Sequence, residues 1–168
     1  MTNTQGSQAR SLVATEKRAE PWLQHDWQKF WLSIRSRPWK SLALLPAGTG
    51  GPPDFTLTVA VSLARTGMTH LGVPIRVADA ARIPLHHMVK FLEEVRACTD
   101  AGDMVLIALG AMTESPVSVS VAQASDSALL CVLLEKMTAA DAKKIVGHVG
   151  AAKFIGSAVF HPSGHRAP

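Results

Sequence analysis

Five short apolar runs, set apart by segments of helical periodicity, do most to limit what this chain can fold into. They occupy residues 41–45, 73–78, 104–109, 128–134 and 154–160, and the intervening helix patterns occupy 55–66, 85–98, 116–124 and 138–149. A strand with one wet face alternates apolar and polar residues, whereas Met104-Val105-Leu106-Ile107-Ala108-Leu109 is apolar throughout. Such strands are buried on both faces, and strands alternating with helices are joined by crossovers that make them parallel. The pattern predicts an α/β fold, a doubly wound, mainly parallel sheet of about five or more strands with helices on both faces. Pro74 belongs at a strand start or on an edge strand, because it has no ladder donor.

Local signals set the expected boundaries. Arg65-Thr66-Gly67 reads as the end of the first core helix and Ala101-Gly102-Asp103 as the end of the second; Thr138 with Asp141 three residues on reads as a capping box built with Asp. Residues 1–20 are polar and aperiodic and read as a flexible tail, 21–37 as an amphipathic helix, 40–160 as the α/β domain and 161–168 as a second tail. At 168 residues the chain can bury one good core. It has no apolar run near the ~20 residues that span a bilayer and no signal-peptide-like start, so a cytoplasmic protein is expected. Cys98 and Cys131 fall in core-like segments and read as reduced thiols.

The formal charge of +4 is carried entirely by residues 1–40, where Arg10, Lys17, Arg18, Lys29, Arg35, Arg37 and Lys40 face Glu16, Glu20 and Asp26. The four tryptophans, Trp22, Trp27, Trp31 and Trp39, lie in the same leader. Leu23, Trp27, Phe30, Trp31 and Ile34 recur at helical spacing, and two readings of this stripe stand. It docks on the domain's own sheet, or Trp22, Trp27, Trp31, Arg35 and Trp39 meet a protein partner, since aromatics and arginine favour interface centres. A modest charge confined to the leader gives no strong nucleic-acid signal.

Chemistry is expected at Ala47-Gly48-Thr49-Gly50-Gly51-Pro52-Pro53-Asp54-Phe55-Thr56, between the first strand and its helix. A dinucleotide fingerprint needs Gly-x-Gly-x-x-Gly, and Pro53 stands where the third glycine would be. A Walker A loop needs Gly-Lys-Ser/Thr at the helix entrance, where this chain has Asp54-Phe55-Thr56. No Gly-x-Ser-x-Gly elbow occurs, and the seven histidines have no metal-ligand spacing; His86 and His87 are adjacent and diverge by about 100° on a helix. Glu93 and Glu94 fall on the solvated face of their helix.

The order of segments resembles the deviant P-loop ATPases related to partition and cell-division ATPases, and within them the bacterial tyrosine-kinase domains of capsule and exopolysaccharide biosynthesis. Phe30-Trp31-Leu32-Ser33-Ile34-Arg35 resembles their preceding helix and Lys40 to Leu45 their first strand. The segment from Thr56 to Gly67 is similar to the helix after Walker A, Pro74 to Ala80 to the strand bearing a second acidic motif, and Gly102 to Ala108 to the Walker B strand. The stretches Ala124 to Leu134 and Phe154 to Phe160 resemble the last two strands. The resemblance implies a P-loop NTPase-like fold, but the motifs are degraded at Gly48, Gly50, Gly51, Asp54, Phe55 and Thr56. Phe55 replaces the lysine, Pro52 and Pro53 lack N–H donors, and Asp54 is expected to cap the helix with its own carboxylate and so repel phosphate. The Walker B strand ends in Ala108-Leu109-Gly110 without a carboxylate, leaving Asp79 as a residual acidic position, and the chain has no tyrosine to autophosphorylate.

These departures imply a catalytically inactive relative with no cofactor, serving as a protein-binding or scaffold component. The implied partner is an active homologue, a second copy of the chain or a polysaccharide-export membrane protein. The alternative is an ATPase using ATP and magnesium at a site completed by another subunit or by Arg76 or Arg82. A third reading is an unrelated α/β domain that binds a small molecule.

Overall fold

The computed structural model describes residues 23–162; the expected tails and Trp22 lie outside them, apart from His161 and Pro162. Five strands, β1 (Ser41–Pro46), β2 (Ile75–Asp79), β3 (Met104–Ala108), β4 (Ser127–Leu133) and β5 (Phe154–Phe160), form one sheet in the order β2-β3-β1-β4-β5. Every pairing is parallel, as continuous apolar strands demand. The fold is a doubly wound α/β sheet, and β1 at its centre is buried at all six residues. Pro74 immediately precedes β2, an edge strand.

The helices follow from connection handedness. The step from β1 to β2 runs one way along the sheet and the three later steps run the other way, so right-handed crossovers place their helices on opposite faces. Accordingly α2 (Phe55–Leu71) covers one face, and α3 (Met88–Asp100), α4 (Val117–Ala124) and α5 (Ala139–Val149) cover the other. A single crossover helix cannot roof five strands. The leader helix α1 (His25–Ile34) fills the remaining place beside α2.

That packing decides between the two readings of the tryptophan stripe. Trp31 is 1% exposed, and Trp39, also buried, stands edge-on to it at 6.0 Å and donates its indole N–H to the Ile34 carbonyl at 2.8 Å. The Arg35 guanidinium lies 5.2 Å from the Trp39 ring centre and donates to the Trp39 carbonyl at 3.3 Å. Trp31 and Trp39 therefore complete the protein's own core and are closed to a partner, while Arg35 stays half-buried over the Trp39 ring. Trp27 stays half-buried.

Gly67 does not end α2. The helix continues to Leu71 and stops at Gly72, whose left-handed φ of 67° suits glycine and whose N–H bonds the Met68 carbonyl at 2.9 Å. Gly67 is needed for close approach: a Cβ there would lie 2.6 Å from Cη2 of Trp31 and 2.3 Å from Cδ1 of Ile75. The other boundary signals hold. Gly102 follows α3 at φ 97°, and the Thr138 hydroxyl oxygen accepts from the Asp141 N–H at 3.2 Å while donating to its carboxylate at 2.7 Å. Leader residues 21–24 and 35–37 are not α-helical where described, so α1 is shorter than its hydrophobic pattern.

At the amino ends of the strands, Asp126 Oδ2 accepts the backbone N–H groups of Lys40 (2.8 Å) and Ser41 (2.9 Å), tying the start of β1 to that of β4. Partial burial pushes this carboxyl up, but the bonds from Ser41 and Lys40, with the charge of Lys153, outweigh it and hold it below its ordinary value. Cys98 and Cys131 are free thiols; burial pushes the Cys131 thiol far up, so it stays protonated and inert. No helix among the described residues is long and apolar enough to cross a membrane.

Candidate functional site

Where adjacent strands send their chains to opposite faces, a crevice opens at the carboxyl ends of the sheet, and ligands of such folds bind there. Here the chain leaves β1 toward the α2 face, while β3 and β4 on either side lead to helices on the other face. A cleft of about 500 Å3 lies over this point. Gly48 and Thr49 of the β1–α2 loop line it, with Arg82 from the β2–α3 connection and Glu114 and Ser115 from the β3–α4 connection. The glycines serve contact more than turning, since none of Gly48, Gly50 and Gly51 has positive φ. A Cβ on Gly50 would lie 2.1 Å from the Lys136 carbonyl oxygen, and one on Gly110 would lie 2.8 Å from that of Ala81. Glycine thus lets the loops around the cleft touch backbone to backbone.

Phe55 and Thr56 open α2 and point to different neighbours. The Phe55 ring stands edge-on to Phe160 at 5.4 Å, and Phe160 in turn lies 6.1 Å from both Trp27 and Phe30. In place of a cation the helix entrance presents an aromatic ring packed on α1 and β5. Thr56 is 3% exposed and its hydroxyl donates to the Leu109 carbonyl at 2.7 Å. This bond fastens the start of α2 to the end of β3.

Asp54 departs from expectation. It occupies the N-cap position, but at φ −102°, ψ 13° it lies outside the extended geometry of a capping residue, and its side chain makes no cap hydrogen bond. Its exposed carboxylate lines a second groove, not the cleft, so it does not place an anion against a phosphate site. Asp79 ends β2 exposed, with its carboxylate accepting the Ala81 N–H at 3.0 Å, and it does not line the cleft. Arg76 is held away by its ion pair with Asp103, which precedes β3 at the opposite end of the sheet. Arg82 alone of the two arginines reaches the cleft. Lys144 lines a separate hollow of about 130 Å3 bordered by the far side of Gly48 and Thr49.

Glu114 and Ser115 carry no motif of their own and lie just before the helix pattern at 116–124. Their position after the third strand was the available signal, because loops at strand carboxyl ends line the crevice. Among the described residues no three His, Cys, Asp or Glu side chains converge to hold a metal. His86 and His87 sit exposed in a 3-10 turn, with ring centres 4.2 Å apart.

The second groove, of about 540 Å3, runs between α1, the first turn of α2, the β4–α5 turn and β5. Trp27, Phe55, Leu133 and Phe160 form its apolar wall, and Asp54 and Lys136 add charge. No family model, curated protein or solved structure matches the chain.

Proposed function

We propose that this chain is a non-catalytic α/β protein that binds other protein through the aromatic side of its loop. The observation that carries this reading is the Phe55 ring, packed at 5.4 Å on Phe160 where a phosphate-binding loop would need a lysine. Three further features support it. Pro52 and Pro53 remove two amide donors, β3 ends without a carboxylate, and the Thr56 hydroxyl is committed to Leu109. Triphosphate binding relies on cations, oriented amides and a magnesium ion, and little of that set remains here. The groove beside the loop has instead the aromatic wall and sparse charge of a protein-binding surface. The resemblance to polysaccharide-associated tyrosine kinases makes polysaccharide biosynthesis or export the proposed setting, with an active homologue, an export membrane protein or a second copy as partner.

Titration calorimetry with ATP and magnesium tests the loss of the nucleotide site. The expected result is no saturable heat below millimolar nucleotide; micromolar binding overturns the reading. Arg82 in the cleft supports the alternative of a non-standard ATPase, and binding that Arg82→Ala abolishes favours that alternative.

A further inference from the structure

The two edges of the sheet are built differently. On β2, five residues long, Arg76 is ion-paired with Asp103 and Asp79 stands at the end, so charge guards the edge. On β5, Phe154-Ile155-Gly156-Ser157-Ala158-Val159-Phe160, there is no charge and no proline. A free edge presents unpaired N–H and C=O groups that only another extended strand satisfies in register, and natural sheets protect such edges with charge, proline, bulges or short length; β5 has only a bulge, at its first residues. Among the described residues no strand pairs with the outer side of β5.

We propose that β5 pairs antiparallel with β5 of a second copy across a two-fold axis, joining the two sheets into one. The inference rests on the protein-binding reading above and names the partner. A two-fold interface must be self-complementary, so residues brought opposite each other in the same strand must tolerate one another. An uncharged strand opposes no like charges.

The structure also selects a register. Ala128 pairs with Phe154 and Leu129 with Gly156, so Ile155 is an extra residue and the regular stretch begins at Gly156. Ala158 and Phe160 pack with the α1/α2 side of the core, whereas Phe154 packs on the other side. Residues directly opposite in an antiparallel pair share a face. Centring the axis on Ser157 would oppose Phe154 and Phe160, which lie on different faces. Centring it on Ala158 uses the regular stretch and opposes Gly156 to Phe160 on the α1 side and Ser157 to Val159 on the other.

The surroundings suit that second register. A Cβ on Gly156 would meet nothing within 4 Å, which leaves room for the partner's aromatic ring over the glycine. Val159, 55% exposed, becomes covered. One strand edge is smaller than the roughly 800 Å2 per partner of a stable interface, so helices must add to it. The two-fold places both copies of α1 on the same face of the joined sheet. There a hollow of about 290 Å3, formed by Asp26, Trp27 and Phe30 with the end of β5, adjoins the edge, and Leu23 is 57% exposed. Arg37 reaches the Phe154 carbonyl at 3.5 Å, outside the regular stretch, and does not block it.

Sedimentation equilibrium of the full chain at tens of micromolar tests the pairing. The wild type should sediment at twice its 17.9 kDa mass. Ser157→Lys with Val159→Lys opposes lysine to lysine and should give monomer, whereas Ser157→Glu with Val159→Lys opposes glutamate to lysine and should restore the dimer. Both positions are exposed, and circular dichroism should show all three proteins equally folded. A monomeric wild type, a dimer indifferent to paired lysines or a failure of the charge swap each overturns the proposal. A wild-type monomer that takes a strand of a different protein at this edge would leave the protein-binding reading standing while overturning this one.

Discussion

The two faces of the sheet solve the same burial problem with different materials. The α1/α2 face is aromatic: Trp31 and Trp39 lie in its core, and Trp27, Phe30, Phe55 and Phe160 pack around them. The α3–α5 face is built from Val, Ile, Leu and Ala, with Phe91 and Phe154 only partly buried, and α3 has no fully buried residue. Topology explains the contrast. Three right-handed crossovers supply three helices to one face and only one to the other, so the poorer face is completed by a leader helix with large side chains. Aromatic density in the leader therefore reports a gap in the roof.

The contrast is sharpest in a pair of truncations. Trp31→Ala should cost about 3–5 kcal/mol, as expected for a large buried aromatic whose cavity is walled by α2 and β2. Val95→Ala, from a half-buried position on α3, should cost about 1 kcal/mol. Urea unfolding of both variants decides it; comparable losses would mean that the leader helix does not hold the aromatic face together.

A smaller effect with a reversible sign comes from Gly67. In a solvent-facing helix, Ala is better than Gly by up to about 1 kcal/mol, but here the added Cβ meets the fixed edge of the Trp31 ring. Gly67→Ala alone should destabilise by about 1–3 kcal/mol through overpacking. In the Trp31→Ala background the ring is gone and the terminal methyl of Ile75, 2.3 Å from the added Cβ, has the vacated space to turn into, so the same substitution should become stabilising. A double-mutant cycle measures this, and an unchanged sign would show that the glycine serves something other than Trp31.

Much of the fold was legible because burial on both faces leaves a direct trace: β1, β3 and β4 are apolar runs, and their boundaries fall within a residue of the pattern. Gly67 misled because a helix terminator and a close-packing glycine look alike in one dimension; only the positions of Trp31 and Ile75 separate them. Local sequence places Phe55 at the entrance of α2, yet the destination of its ring depended on Phe160, over a hundred residues away. Asp54 shows the limit of residue type. It is a favourable capping residue at the right position, but its own backbone, at φ −102° and ψ 13°, lies outside capping geometry. Arg82, Glu114 and Ser115 line the cleft from two separate connections, a convergence that strand order creates and no local spacing records.

The contact belonging to neither face gives the mildest test. Asp126 ties β1 to β4 from the sheet's amino end, and its folded pKa lies below that of a free carboxyl, about 3.9. Because the folded form favours the carboxylate, this contribution is fully present above the unfolded pKa and is lost as pH falls through the folded value. The wild type should therefore lose stability between about pH 5 and pH 3 more steeply than Asp126→Asn, which starts lower at pH 7. Urea midpoints across that range provide the measurement, and parallel curves would show that the two backbone N–H bonds do not favour the ionised form. Since Asp126 sits at the strand starts and Trp31 and Val95 on separate helices, Asp126→Asn should leave the gap between their truncations within about 0.5 kcal/mol. A gap that narrows would mean that the aromatic face depends on the strand register that Asp126 fixes.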